Sequence, residues 1–331
     1  MKLKIIGLIA GIAVLLGGAV VYVASARTGG VTVNAVPVNT GQTLALAPAN
    51  LFFRNLADGP DHGKLAAVPA GEPGGARNVG DLSCDRFAAA RGTAICLRLK
   101  PDSLPPLTDM IVLDANLKEV HRETLPGTPS RARVSPSGRI VNWTLFVTGD
   151  SYAATGFSTR TGLYNLDTQR LTKSVETLPI FVDGKRYFAS DVNFWGITFA
   201  ADGNRFYLTM SSKGKTYLIE ADHKSYHGDA IARNVECPSL SPDGRRIAYK
   251  QKVATGKWRL AVLDLATRKV TNPPDDRLLD DQPVWRDNTT LLYPLRAADG
   301  STDIWSVGLT KPPTLLIRHA TSPSLGGGQA P

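Results

Sequence analysis

A short turn recurs six times along this chain, and its spacing limits what the chain can build. The clearest copies are Ser241-Pro242-Asp243-Gly244, Ser135-Pro136-Ser137-Gly138 and Ala200-Ala201-Asp202-Gly203. Weaker copies are Ala47-Pro48-Ala49-Asn50, Ala90-Arg91-Gly92 and Trp285-Arg286-Asp287-Asn288. Counted on their last residues they fall at 50, 92, 138, 203, 244 and 288, at intervals of 42, 46, 65, 41 and 44. The chemistry suits a tight reversal. Pro presets φ near −65°, Asp or Asn bonds its own backbone, and Gly accepts positive φ. Around the turns lie short runs rich in aromatic and branched residues, as at 204–210, 246–250 and 290–294. A third such run follows in each copy, at 110–114, 163–167, 217–220, 260–264 and 304–308. No segment after Ala26 keeps a helical period for more than about three turns.

Repeats of this length match a four-stranded blade. A lone sheet of that kind exposes both faces, whereas six set radially bury them against one another and leave only short protected edges. The spacing therefore predicts an all-β fold, a six-bladed β-propeller of four-stranded blades over 45–320, each turn joining a blade's first and second strands. The long interval carries about 20 extra residues between Thr148 and Trp195, and 179–187 reads there as a hairpin or long loop. Such an insert is either a functional loop or a stabilising extension of one blade. Residues 27–44 read as a tether. Within it, 31–38 alternates with period two and is expected to close the ring as an outer strand of blade six, beside 314–319 or 302–307; the alternative is a leash without a partner. The Gly/Pro-rich segment 321–331 reads as a disordered tail.

The N-terminus sets the compartment. Lys2 and Lys4 precede an uncharged run over 5–26, and Arg27 is the next charge. As a helix, residues 5–24 would span about 30 Å, enough for a bilayer core. Residues 1–26 are thus expected to be a single-pass signal anchor, with the rest extracytoplasmic. Ala24-Ser25-Ala26 also fits a cleavage site, which would give a secreted chain. The run exceeds the ~7–15 residues of a usual signal core, and this favours retention in the cell membrane.

Residues 237–250 (CPSLSPDGRRIAYK), followed by 256–270 (GKWRLAVLDLATRKV), resemble the repeat of TolB-like six-bladed β-propellers. Residues 193–210 and 280–295 are similar to exported TolB-like proteins of actinobacteria. The resemblance covers about 45–318. It implies a propeller that works as a partner in an envelope assembly and does not catalyse. The sequence departs from that pattern in that no separate α/β domain is expected before the propeller.

The chain lacks GxSxG, HExxH, Walker A and GxGxxG motifs, so no enzyme, cofactor or metal site is expected from them. His223 and His227 stand four apart, a helical ligand spacing, but they fall between the third and fourth strands of a blade. Aligning the turns puts Trp195, Glu236 and Asp281 in one column at the channel mouth, with Arg131 one residue away. Asp280 and Glu236 would hold a cation or a basic ligand tip there, or else cap strand ends and face water. The pairs Asp275-Asp276 and Asp280-Asp281 read as a solvated rim. Cys84 and Cys96 flank the turn at 88–92 symmetrically about residue 90 and are expected to form a disulfide across adjacent strands of blade two. Cys237 is left as a buried thiol.

The chain carries 38 basic against 29 acidic residues, and both N-terminal lysines lie before the apolar run. The exported part is therefore basic in itself, which favours anionic envelope polymers or lipid headgroups as partners. No dense Lys/Arg stripe with interleaved aromatics points to nucleic acid. The leading expectation is a non-catalytic, envelope-anchored module that binds a protein or ligand outside the cytoplasm. The alternatives are a small-molecule sensor using the channel mouth and a metal-dependent propeller lactonase or lyase. The last lacks a convergent His/Asp/Glu set in the repeat columns.

Overall fold

The computed structural model describes residues 36–147 and 158–327. The expected anchor at 1–26 and residues 27–35 of the tether lie outside them. From Val38 onward the strands form six sheets arranged as blades, numbered here along the chain. Blade two runs from inside to outside as Arg86–Ala90, Thr93–Leu99, Leu107–Leu113 and Glu119–Pro126. Blades three to six begin with the inner strands Thr128–Val134, Asn193–Phe199, Glu236–Leu240 and Val284–Trp285. The turns expected at 90–92, 135–138, 200–203, 241–244 and 285–288 each join an inner strand to the second strand of the same blade.

Turn chemistry explains the recurrence. Gly138, Gly203 and Gly244 have φ of 76°, 70° and 70°, the left-handed region open to glycine. Ser135 Oγ accepts from Ile140 N at 3.0 Å, and Ser241 Oγ accepts from Arg246 N at 2.9 Å, so each serine ties the start of the next strand to the turn.

The apolar residues fall into six clusters, each lying chiefly between two successive blades. Alternation distributes them. In the strand Asn50–Asn55, Leu51 and Phe53 face blade six, whereas Phe52 faces blade two. In blade five, Ile247 and Tyr249 face blade four and Ala248 faces blade six. Both faces of each blade are buried, which is why these strands read as nearly continuous hydrophobic runs.

Ring closure differs from the expectation. Blade one consists of Ala320–Leu325, Asn50–Asn55, Lys64–Pro69 and Arg77–Ser83, so its inner strand comes from the C-terminal end. The Ala47-Pro48-Ala49-Asn50 turn therefore leads straight into a second strand. The closing strand was expected at 31–38 on the outside of blade six. Instead Val38–Asn39 pairs in parallel with Arg77–Ser83 at the outer edge of blade one, while 31–35 lie outside the described residues. The reading of 321–331 as disordered is also corrected: Ala320–Leu325 is an antiparallel strand on Asn50–Asn55, and only 328–331 fall outside the described residues. Gly/Pro composition suggested disorder, but an inner strand beside a channel needs small residues. Ala320, Ser322, Pro323 and Ser324 are all buried.

Two blades carry additions. The 179–187 insert is a hairpin, Ile180–Val182 with Lys185–Arg186, whose first strand pairs in parallel with the outer strand His227–Arg233 of blade four. It extends that blade and caps an apolar cluster with Leu178 and Ile180. The disulfide Cys84–Cys96 is present with a Cα–Cα distance of 5.3 Å. Cys84 lies two residues before the inner strand rather than within it. Cys237 is free and buried.

The channel-side edge of each inner strand would leave backbone groups unpaired. Hydroxyls of a preceding blade fill several of these places. Thr144 accepts from Gly196 N (3.4 Å), Thr198 from Leu240 N (3.1 Å) and Thr209 from Cys237 N (3.0 Å). At the closing seam, Ser322 accepts from Phe87 N (3.1 Å) and Ser324 from Ala89 N (2.8 Å).

Candidate functional site at the central channel

The six inner strands surround one cavity of about 420 Å³. One end is rimmed by the turns at Pro136, Ala200–Asp202 and Ser241–Gly244; Arg86, Arg131 and Asp281 line it further along the inner strands. Arg131 and Arg133 project from blade three, the blade opposite blade six in a ring of six. They reach across to it.

Asp281 is the centre of this crossing. Its Oδ2 accepts from Arg86 Nη1 of blade two at 2.5 Å, and its Oδ1 lies 3.3 Å from Arg131 Nη1. Arg131 also donates to the carbonyls of Ser130 (2.8 Å) and Asp280 (3.3 Å). Burial pushes the Asp281 carboxyl up, but the two guanidinium groups more than offset it and leave it at about 2. Burial likewise opposes the charge on Arg131, and Asp281, Cys237 and Asp280 together outweigh it, so that Arg131 sits above the ordinary arginine range. One carboxylate thus clasps three blades.

Arg133 is different. It is 8% exposed and has no carboxylate within ion-pairing distance among the described residues. Nη2 donates weakly to the Pro283 carbonyl (3.4 Å). Gln282, with its amide oxygen turned to the guanidinium, accepts from Nη2 and from Nε (3.2 Å). Burial lowers this guanidinium to about 10, which still leaves it charged at neutral pH.

The expected column is partly assembled. Arg131 and Asp281 meet directly. Asp280 does hold a cation, but the chain supplies it, and Glu236 is bonded elsewhere. Lys250 stands opposite Glu236 in the strand ladder, and its Nζ lies 2.6 Å from Asp280 Oδ1 and 4.2 Å from the centre of the Trp258 ring. Trp258 Nε1 in turn donates to Glu236 Oε1 at 2.9 Å. Trp195 is a buried inner-strand residue of blade four, paired with Thr209 in the sheet. The acid pairs are not a uniform rim. Asp276 and Asp280 are exposed, whereas Asp275 is buried, accepting from the Tyr293 hydroxyl and from Arg277 (2.8 Å), and Asp281 is held in the clasp. His227 lies on a strand and bonds Asp229 at 2.8 Å, away from His223 in the preceding turn.

Arg86, Arg133, Lys250 and Trp258 were not singled out from the sequence. The Ser130-Arg131-Ala132-Arg133 alternation carries the signal for Arg133, since period two places both arginines on one face of an inner strand. Among the described residues, no three His, Cys, Asp or Glu side chains come together as a metal-binding group.

No family model and no curated protein matches the sequence. Solved structures do. TolB from Acinetobacter baumannii aligns with a TM-score of 0.56 at 16% identity, over 83% of this chain and 66% of that one. A chain of a nidogen/laminin complex aligns with a TM-score of 0.52 at 12% identity, over 85% of this chain and 99% of that one. An oligogalacturonate lyase in complex with manganese aligns with a TM-score of 0.50 at 13% identity, over 76% and 72% of the two chains. At these identities the likeness defines the fold: a six-bladed β-propeller structurally similar to TolB.

Proposed function

We propose that this chain is a non-catalytic interaction module, a propeller carried outside the cytoplasm on its N-terminal segment, which binds an anionic envelope component. The observation that carries this reading is the state of the ionisable groups around the channel mouth. Asp281 is engaged by Arg86 and Arg131, Asp280 by Lys250, and Glu236 by Trp258. Groups spent on one another in this way serve to hold blades together, which favours a structural over a catalytic use of these side chains. This also counts against a small-molecule site at Trp195, Glu236 and Asp281, and against a metal-dependent lyase or lactonase there.

Two further features support the reading. The Cys84–Cys96 disulfide suits an oxidising compartment. The blade-four hairpin presents Phe188, 76% exposed, with the Arg186 guanidinium 4.9 Å from its ring centre and 5.7 Å from that of Phe181. Lys213 lies 5.8 Å from the centre of the Tyr187 ring beside it. Exposed aromatic rings carrying cations suit an anionic partner. The alternative of release after cleavage near Ala26 keeps the propeller in the same compartment.

The test is cross-linking of the full chain in intact cells, followed by membrane fractionation and capture. Recovery in the membrane fraction with an anionic envelope component, reduced by Arg186→Ala with Phe188→Ala, is the expected result. Recovery in the cytosol, or capture indifferent to both substitutions, refutes the reading.

A further inference from the structure

The clasp at the channel mouth leaves one buried charge over. Arg133 lines the cavity between the Asp281 clasp and the turn rim, and its Nε and Nη2 are held by Gln282 and the Pro283 carbonyl. Its Nη1 meets no acceptor among the described residues, although the residue as a whole is buried. A guanidinium taken out of water without an anion is costly, because charge burial is offset only by pairing and full hydrogen bonding. The cavity as a whole is also positive: five arginines line it against three aspartates. Its walls also carry apolar residues, Ala89, Ala132, Phe199 and Leu240 among them, interspersed with hydroxyls such as Thr198 and Ser324. Its volume falls in the range of small-molecule sites, about 300–1,000 Å³.

We infer that the channel forms a cup, entered from the turn face, that binds a single carboxylate carried on an apolar body, with Arg133 as its anchor. A guanidinium fork with two of its nitrogens already fixed is preorganised for an incoming carboxylate. Phosphate fits less well. A dianion needs a second uncommitted cation, and at this depth Arg86 and Arg131 are tied to Asp281. The alanine-rich wall accommodates an aliphatic or aromatic tail that extends toward the rim at Ala201 and Pro242. This goes beyond the interaction module, whose partner surface is the blade-four hairpin, so the two stand or fall separately.

The test is calorimetric titration of the full chain with hexanoate, hexanamide and inorganic phosphate. Hexanoate is expected to bind about tenfold or more tightly than hexanamide, the difference being one charge-assisted hydrogen-bonded pair. Phosphate is expected to bind more weakly than hexanoate. Arg133→Gln should weaken hexanoate by about tenfold or more and leave hexanamide unchanged. Ala201→Trp places its bulk on an exposed turn at the rim and should also abolish hexanoate binding. This second variant carries the test if Arg133→Gln fails to fold. Equal affinity for acid and amide, tighter binding of phosphate, or hexanoate binding that survives Ala201→Trp would each overturn the proposal.

Discussion

Replacing Ser322 and Ser324 together by alanine tests how the ring is sealed. Both serines are buried on the closing strand, at 8% and 6% exposure, and face the inner strand of blade two. They accept from Phe87 N and Ala89 N, and Ser322 Oγ donates back to the Phe87 carbonyl at 3.2 Å. Alanine leaves two backbone N–H groups without acceptors while hardly altering packing. An orphaned buried donor costs about 1–3 kcal/mol. The channel cavity admits some water to this edge, so the low end of that range, about 1–1.5 kcal/mol per donor, applies and the pair should cost about 2–3 kcal/mol. In a chain of this size, 1 kcal/mol moves the melting temperature by roughly 2 °C, which gives a drop of about 4–6 °C. Urea unfolding is the cleaner assay. The midpoint should fall with an unchanged m-value, because the surface exposed on unfolding is the same. Thr168→Ala, at an exposed turn, should leave the midpoint where it is. A double variant within ~0.5 kcal/mol of the parent would refute the argument that hydroxyls seal the inner edges.

Reduction of Cys84–Cys96 opens a link of sequence separation 12, for which chain entropy alone predicts a loss of about 3 kcal/mol; paired melts with and without reductant check this. Asp281 is held at about 2, below its unfolded value near 3.8, so its contribution of about 2 kcal/mol is present above pH ~4 and fades as pH falls toward 2. Asp281→Asn should cost about 3 kcal/mol at pH 7, where it strands Arg86 and Arg131, and the gap to the parent should narrow below pH ~3 in stability measured against pH. Gly196→Ala should cost about 2–3 kcal/mol, since its φ is 68° and a Cβ would sit 3.0 Å from Cys237 Cα. Gly203→Ala, at φ 70° but in open space, should cost only about 1 kcal/mol, and thermal melts of the two isolate the packing share.

The blades were legible because each carries its own local grammar. Turn, second strand and third strand lie within one stretch of chain, and five of six turns join the strands expected of them. Blade one lacked that property. Its inner strand is separated from its second strand by the whole propeller, and in isolation 320–325 shows only small residues and a proline. A local pattern cannot reveal a partner some 270 positions away when the strand's burial comes from the ring and not from its own side chains. The channel residues divide in the same way. Arg131 and Asp281 stood out because they recur at one place in the repeat. Lys250 did not, although counting register back from the Ser241-Pro242-Asp243-Gly244 turn sets it opposite Glu236. Arg133 went unread because a charge on an inner strand looks like an exposed position until the channel around it is built.

The two ends of the channel show different physical economies. Near Asp281, two guanidinium groups from blades two and three bond one carboxylate from blade six and fix the blades relative to one another, a role that fits the tendency of well-bonded ion pairs to specify geometry more than to add stability. A ring of similar wedges needs such a device, because apolar clusters between blades tolerate small rotations that a bonded guanidinium does not. Nearer the turns, this pairing with a carboxylate stops at Arg133. If that residue served only to hold blades together, a leucine or methionine would do so at lower desolvation cost, and Gln282 would have nothing to bond. An unneutralised arginine at the base of an apolar cup is therefore explained better by an anion that visits it than by the fold alone. The variant that separates these explanations is Arg133→Met: a stabilised protein that has lost hexanoate binding matches a binding role, and a destabilised one matches a structural role.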